Sequence, residues 1–304
     1  MTTLTPQRLD ELLLHSSRTF ALSIPRLPEP TRAEVTVAYL LFRIADTLED
    51  ATLWPRERQV QELGRFAALV RDVEPARAEA LARAWAAQPP LAHAGYLELL
   101  GETPGVLAAY AGLAPGAREA VGRHTIRTAE LMAAFVARKD DDGVLRLRDA
   151  ADLAAYCYAV AGIVGEMLTE LFLLDRAFLE PVAPLLRANA ASFGEALQLV
   201  NILKDASADA REGRSFLPAT LERGAVFARA RGDLAAARDY VLALQRRGAP
   251  RGLIEFCALP VLLARATLER VEAHGPGAKL TRPEVAALVV QLDQDLSGGR
   301  PALS

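Results

Sequence analysis

Hydrophobic positions along this chain recur at the spacing of α-helices, with polar residues between them. The alternation of Val, Ile and Thr that is typical of strands is absent, whereas Ala, Leu, Arg and Glu dominate. Helical spacing covers residues 6–16, the segment from Thr31 to Asp50, and residues 55–85, 118–137, 149–165, 221–247, 250–273 and 282–296. The pattern predicts an all-α protein with one domain over residues 1–304.

Turn-forming residues separate these segments. Residues 89–105 and 115–116 are rich in Pro and Gly and are predicted to be non-helical. Thr31 followed by Glu34 has the spacing of a helix capping box. The charged segment 139–143 is predicted to be an exposed turn between helices, with a lid beside a site as the alternative.

Composition excludes several classes of function. The chain has 304 residues, 51% of them hydrophobic, and a net charge of -3, so it has enough apolar residues for a core and no general basic character that would favour nucleic acid. The four His residues are scattered, and the two Cys residues lie in apolar runs, which argues against a zinc site, a disulfide framework or a His-based triad. We expect buried thiols in a reducing, cytoplasmic compartment.

No membrane anchor is predicted. The N-terminus is polar, and the continuous apolar runs are shorter than the roughly 20 residues that a spanning helix needs.

One stretch brings oxygen ligands together at helical spacing. Asn201, Asp205 and Asp209 are four residues apart, so they lie on one face of a helix, with Lys204, Arg211 and Arg214 nearby. Mg2+ prefers such oxygen ligands and commonly bridges carboxylates to phosphates. The stretch therefore predicts a site for a metal-bridged phosphorylated ligand. Taken alone, the same spacing is also common on solvated helix surfaces.

A second helix repeats this chemistry. The segment from Thr31 places Tyr39, Arg43, Asp46 and Asp50 close to one face, with Glu49 beside them. Two acidic half-sites are therefore predicted to face each other across a cavity of the helical bundle. We call Asp46–Asp50 the first acidic motif and Asn201–Asp209 the second acidic motif.

A third segment, from Tyr156 to Gly165, combines a tyrosine with two glycines. Gly162 and Gly165 permit close approach of a backbone or a ligand. Tyr156 taken alone is interpreted as a buried tyrosine whose hydroxyl meets a backbone carbonyl.

Together these segments resemble the squalene and phytoene synthases, prenyltransferases that couple prenyl diphosphates head to head. The resemblance covers most of the chain, and the matching segments keep the family's order. They are Ser17–Phe20, Tyr39–Asp50, Tyr156–Gly165 and Leu197–Pro218. Asp-Thr-Leu-Glu-Asp at 46–50, Phe256–Pro260 and, more weakly, Lys279–Arg282 are most like a bacterial squalene synthase.

The resemblance implies an all-α isoprenoid synthase bundle with a central apolar cavity, and it assigns roles to particular residues. The implied Mg2+ ligands or supporting acids are Asp46, Glu49, Asp50, Asn201, Asp205 and Asp209. Residues implied to contact substrate are Arg18, Tyr39, Arg43, Gln198, Lys204, Arg214 and Phe256. Tyr156 is implied in the proton step and Lys279 and Arg282 in NADPH use, while Gln198 is nearly as well explained as a buried structural amide.

The implied reaction is farnesyl-diphosphate farnesyltransfer. Two farnesyl diphosphates form presqualene diphosphate with Mg2+, and NADPH then reduces it to squalene. Because the product is very apolar, we expect transient contact with a membrane surface. The sequence leaves the oligomeric state open.

The second acidic motif departs from the family's pattern. The family usually has Asp-x-x-Glu-Asp, whereas this chain has Ala208 in place of the Glu, and Thr281 interrupts the basic segment. Three alternatives therefore remain: a phytoene or dehydrosqualene synthase, a relative that stops at presqualene diphosphate or forms hydroxysqualene, and a helical protein that binds prenyl diphosphates without turnover.

Overall fold

The structure is a computed structural model that describes residues 3–17, 20–174, 176–211 and 216–303, without the side chains of 209–211. The regular elements of these residues are helices, so the prediction of an all-α protein is confirmed. The α-helices are α1 Pro6–Ser16, α2 Phe20–Ser23, α3 Thr31–Glu49, α4 Arg56–Arg71, α5 Pro75–Ala87, α6 Ala94–Gly101, α7 Thr103–Ala111, α8 Pro115–Val136, α9 Ala150–Cys157, α10 Ile163–Leu173, α11 Ala183–Arg211, α12 Arg223–Arg246, α13 Arg251–His274 and α14 Arg282–Ser297.

The chain forms two compact units. Residues 1–25 and 29–139 make up the first, and residues 26–28 and 140–304 make up the second. The prediction of one domain over residues 1–304 stays a prediction.

Helix α3 is the core element of the first unit. It packs against α1, α4, α6, α7 and α8, because apolar residues surround most of its circumference. Leu40, Leu41, Ile44 and Leu48 are completely buried. The helix that carries the first acidic motif is thus held by neighbours on several sides.

Two sequence predictions in the first unit are wrong. Of the residues predicted to be non-helical, 94–101 lie in α6, 103–105 in α7 and 115–116 at the start of α8. Gly95 and Gly105 mark close contacts inside these helices: a Cβ at Gly95 would lie 2.4 Å from the His15 carbonyl oxygen. The capping box is also absent, since Thr31 is already the first helical residue, and the Glu29 carboxylate accepts the Ala33 N–H instead.

Helix α11 is the core element of the second unit. It is 29 residues long and packs against α10, α12 and α13. It crosses the preceding segment at backbone contact, because a Cβ at Gly165 would lie 1.9 Å from the Ala190 carbonyl oxygen and one at Gly194 would lie 2.0 Å from that of Ala161. The sequence predicted that Gly165 permits close approach of either a backbone or a ligand. At Gly165 the structure has the backbone of another helix.

A single π-helical turn, Tyr158–Gly162, joins α9 to α10. The resulting run, Ala150–Leu173, is long and apolar enough to cross a membrane by length and composition, and 61% of its most apolar window is buried inside the protein. Burial of this extent is usual for a core helix, so the predicted lack of an anchor stays a prediction.

Candidate functional site

The first acidic motif lies beside a linked arginine and tyrosine on α3. The Tyr39 hydroxyl accepts hydrogen bonds from Arg43 Nε and Nη2 at 3.2 and 3.1 Å and donates to the Ser16 carbonyl oxygen at 3.0 Å. Arg43 Nη1 lies 3.3 Å from Asp46 Oδ2. The three side chains meet because 39, 43 and 46 are three or four residues apart on one helix.

The electrostatics of this group favour a cation near the carboxylates. Burial raises the pKa of Asp46 to about 6, against the lowering effect of Arg43, and the neighbouring Asp50 raises it further. Although burial opposes its charge, Asp46, Tyr39 and Tyr96 hold the pKa of the Arg43 guanidinium above its ordinary value. The Arg43 guanidinium carbon also lies 5.4 Å from the centroid of the Tyr96 ring, a contact that the sequence did not predict.

The end of α3 is held by a residue that the sequence analysis assigned to a turn. Lys139 Nζ donates to the Glu49 carbonyl oxygen at 3.1 Å and to Gln59 Oε1 at 2.7 Å. The next residues do form the predicted turn, in which the Asp140 carboxylate accepts the N–H groups of Asp142 and Val144. No spacing in the sequence indicated this role of Lys139. Its one distinguishing feature is that it is one of three lysines in the chain.

The second acidic motif is organised around Lys204. Its Nζ lies 3.1 Å from Asn201 Oδ1 and 3.2 Å from Asp205 Oδ2. These oxygens lie one helical turn apart on α11, as the spacing predicted. Asp209 is also on α11, but its side chain lies outside the described residues, as do Arg18 and Arg214 in full.

The donor groups fit Mg2+. Mg2+ usually binds one or two carboxylates and completes its shell with water and phosphate oxygens. Each motif offers oxygens one turn apart, and Lys204 already places a positive charge against two of them. Among the described residues, which do not include the side chain of Asp209, no group of three or more His, Cys, Asp or Glu side chains is arranged to hold a metal.

Tyr156 lies in the last turn of α9, two residues before the π-helical turn begins, and is 5% exposed. Its ring stacks on Phe216, with centroids 4.9 Å apart and planes 18° apart. Phe256 is 2% exposed and packs edge-on against Phe172. Gln198 is half-buried on α11, one turn before Asn201. Apolar packing thus fixes the tyrosine and phenylalanine named by the resemblance.

The basic segment, Lys279–Arg282, follows a loop whose backbone is hydrogen-bonded to the second acidic motif. In the loop between α13 and α14, the Gly277 N–H donates to the Lys204 carbonyl oxygen at 2.7 Å. Gly277 has φ of 89°, a conformation that favours glycine. Lys279 follows two residues later and is exposed, and Arg282 begins α14. The segment predicted to bind NADPH is therefore preceded by a loop that is hydrogen-bonded to α11, the helix predicted to bind metal.

Comparison with known proteins identifies the family of this chain. The family model described as squalene/phytoene synthase matches residues 13–287. The chain belongs to the squalene/phytoene synthase family. The family that the sequence motifs suggested is thereby confirmed.

Relatives of this family member include squalene synthases from a yeast and a plant. The chain is 27% identical to squalene synthase of Schizosaccharomyces pombe over 87% of its length and 59% of the relative's. It is 32% identical to squalene synthase 1 of Arabidopsis thaliana over 68% of its length and 46% of the relative's. The chain therefore spans about half the length of these relatives.

Solved structures confirm the fold. A complex of TcSQS with the ligand E5700 has a TM-score of 0.76 at 24% identity and covers 96% of this chain and 87% of that one. A dehydrosqualene synthase in complex with a ligand has a TM-score of 0.63 at 18% identity, with 96% of each chain covered. This squalene/phytoene synthase family member thus has the all-α fold that the motifs implied.

Proposed function

We propose that this protein is a squalene synthase-like prenyltransferase. It joins two farnesyl diphosphates head to head with Mg2+ to give presqualene diphosphate and reduces that product with NADPH to squalene. The observation that carries the proposal is that, in each acidic motif, a basic side chain contacts the oxygens that would bind the metal: Arg43 at Asp46, and Lys204 at Asn201 and Asp205.

The basic residues would hold phosphate oxygens. Phosphate and carboxylate repel each other, at roughly 4 kcal/mol for two unit charges about 4 Å apart at an effective dielectric near 20. When bound, Mg2+ supplies positive charge between these groups and stabilises the diphosphate as it leaves. Arg43 would bind the phosphate oxygens that remain, and Tyr39 fixes the direction of its guanidinium through two hydrogen bonds.

Tyr156 would act in the proton step. A phenol is a weak base at neutral pH, so the tyrosine would position or relay the proton that closes the cyclopropane, and the released diphosphate would finally accept it. Stacking on Phe216 keeps the Tyr156 ring in one orientation. The buried Phe256 and Phe172 belong to the apolar surroundings that would exclude water from carbocations.

The loop after α13 would bind the reductant. NADPH, when bound, supplies the hydride that ends the second half-reaction. Lys279 and Arg282 offer positive charge to its phosphates, and Arg282 does so at the N-terminus of α14, where the helix dipole also favours an anion. The Gly277–Lys204 hydrogen bond would keep this loop beside the second acidic motif.

Replacement of Asp205 tests the metal site. The substitution Asp205→Asn removes one charge next to Lys204, so we expect Mg2+-dependent release of diphosphate from farnesyl diphosphate to fall at least about a hundredfold, on the scale of losing a transition-state charge contact. Release is measured by a coupled phosphate assay, and thermal melting checks that the variant folds.

A matched variant is Asp239→Asn, because Asp239 is an exposed carboxylate on α12 beside Arg238. Release by this control is expected to equal that of the wild type. Full activity of Asp205→Asn would remove Asp205 from the site, and an inactive but substrate-binding wild type would favour a protein that binds prenyl diphosphates without turnover.

A further inference from the structure

Each of the three lysines of the chain lies in or bonds to a segment of the candidate site. Lys and Arg together number 35, and the lysines are Lys139, Lys204 and Lys279. Lys204 bonds to the second acidic motif, and Lys279 follows the loop that bonds to the Lys204 carbonyl. Lys139 bonds to the end of the first acidic motif. Lys139 takes no part in the proposed reaction steps.

Lys139 joins three elements of the first unit. It follows the end of α8, and its Nζ donates to the Glu49 carbonyl oxygen of α3 and to Gln59 Oε1 of α4. Arg56, also on α4, donates to the Lys139 carbonyl oxygen. The ammonium group is therefore directed at the last turn of α3 by contacts on both its side chain and its backbone.

Gln59 extends this contact to the turn that follows the motif. Its Nε2 donates to the carbonyl oxygens of Ala51 and Trp54, at 2.6 and 3.1 Å, while its Oε1 accepts from Lys139. Gln59 is 5% exposed and Ala51 is completely buried. Lys139 and Gln59 together therefore fix the backbone on both sides of Asp50.

The first acidic motif needs such support because of its position. Asp50 is the C-cap of α3, and the last turn of a helix leaves carbonyl groups without helical partners and frays readily. Asp46, Glu49 and Asp50 also place three carboxylates at the end where the helix dipole is negative. An ammonium on the Glu49 carbonyl counters both effects.

We propose that Lys139 and Gln59 are positioning residues that hold the spacing of Asp46 and Asp50 for a metal-bridged diphosphate. The inference rests on the proposed function, since that function supplies the ligand. Neither residue need touch the ligand: their effect passes through the Glu49 carbonyl and the 51–54 turn. Outer partners of metal ligands typically change metal affinity by 10- to 100-fold.

The test is the substitution Lys139→Met, which keeps the length of the side chain and removes its charge and donors. Hydrogen exchange without ligand is expected to become faster for amides 50–54 and unchanged for α5. Calorimetry with inorganic diphosphate and Mg2+ is expected to show binding weakened by about tenfold. Lys139→Arg, which can still donate, is expected to recover most of both losses.

The control is Arg71→Met, which breaks an exposed ion pair between the same two helices, α4 and α8, at Arg71–Glu130. It is expected to leave exchange at 50–54 and diphosphate binding unchanged. A purely electrostatic role of Lys139 predicts tighter Mg2+ binding in Lys139→Met, and a purely structural role predicts lower thermal stability with unchanged binding. Either result overturns the proposal.

A failure of the positioning role can be distinguished from a failure of the proposed function. If the wild type forms no product from farnesyl diphosphate while Lys139→Met still loosens the 50–54 turn and weakens diphosphate binding, the positioning role stands and the prenyltransferase assignment fails.

Discussion

At the scale of single residues, the site depends on hydrogen bonds that fix the direction of charges. Arg43 is linked to Asp46 by an ion pair, to Tyr39 by hydrogen bonds, and to the Tyr96 ring by a cation–π contact. Tyr39 in turn donates to the Ser16 carbonyl oxygen. Tyr39 therefore connects the guanidinium to α1, although it is about three helical turns away from the Asp50 end of the motif.

Tyr39→Phe is predicted to weaken substrate binding more than catalysis. The substitution removes the acceptor of two hydrogen bonds from Arg43 but keeps the ring. Hydrogen bonds to charged groups contribute about 1.5–3 kcal/mol, so we expect KM for farnesyl diphosphate to rise roughly tenfold or more, with a smaller change in kcat. Steady-state kinetics measure both.

The control for this prediction is Tyr96→Phe, which keeps the ring face that Arg43 contacts. Its KM is expected to stay within about twofold of the wild type, because a cation–π contact needs no hydroxyl. Equal kinetic effects of the two substitutions would show that the Tyr39 hydroxyl does not orient Arg43.

At the scale of elements, two helix contacts place the functional groups of the second unit. Glycines let α10 and the π-helical turn approach the backbone of α11, which carries Gln198 and the second acidic motif. Tyr156 lies at the end of α9, two residues before the same π-helical turn. The crossing at Gly165 and Gly194 thus sets the position of Tyr156 relative to α11.

Gly194→Ala is predicted to destabilise the protein although alanine is the better helix former. The new Cβ would lie 2.0 Å from the Ala161 carbonyl oxygen, so the helices must separate. Overpacking of this kind costs about 1–3 kcal/mol in the free energy of unfolding. Denaturant unfolding measures the change.

Gly232→Ala is the matched control, because Gly232 lies inside α12 with no atom within 4 Å of an added Cβ. It is expected to stabilise the protein by about 0.5–1 kcal/mol through helix propensity alone. Stabilisation by Gly194→Ala as well would contradict the close crossing of α11.

At the scale of the whole molecule, periodicity predicted the fold class and most of the helices. It failed at α6 and α7, where Gly95 and Gly105 mark close contacts inside helices rather than turns. Local patterns do not distinguish these two uses of glycine, because the neighbour that requires a missing Cβ is distant in sequence, as His15 is from Gly95.

The candidate site was also predicted only in part: contacts within one helix were predicted, and contacts between helices were not. Residues three or four apart on one helix, such as Arg43 with Asp46 and Lys204 with Asn201, were found from spacing and are in contact. Contacts across helices were missed, as with Lys139 at the end of α3 and Tyr96 at Arg43. Spacing describes one helix at a time, and only packing brings such pairs together.

The proposed activity can be tested in one experiment on the intact protein. Incubation with farnesyl diphosphate, Mg2+ and NADPH carrying deuterium at the transferable position, followed by mass spectrometry, follows both the carbon skeleton and the hydride. We predict squalene that is one mass unit heavier than squalene formed with unlabelled NADPH, and presqualene diphosphate when NADPH is left out. A product that carries no deuterium and does not change without NADPH would contradict the squalene assignment, and failure to consume farnesyl diphosphate would contradict the account as a whole.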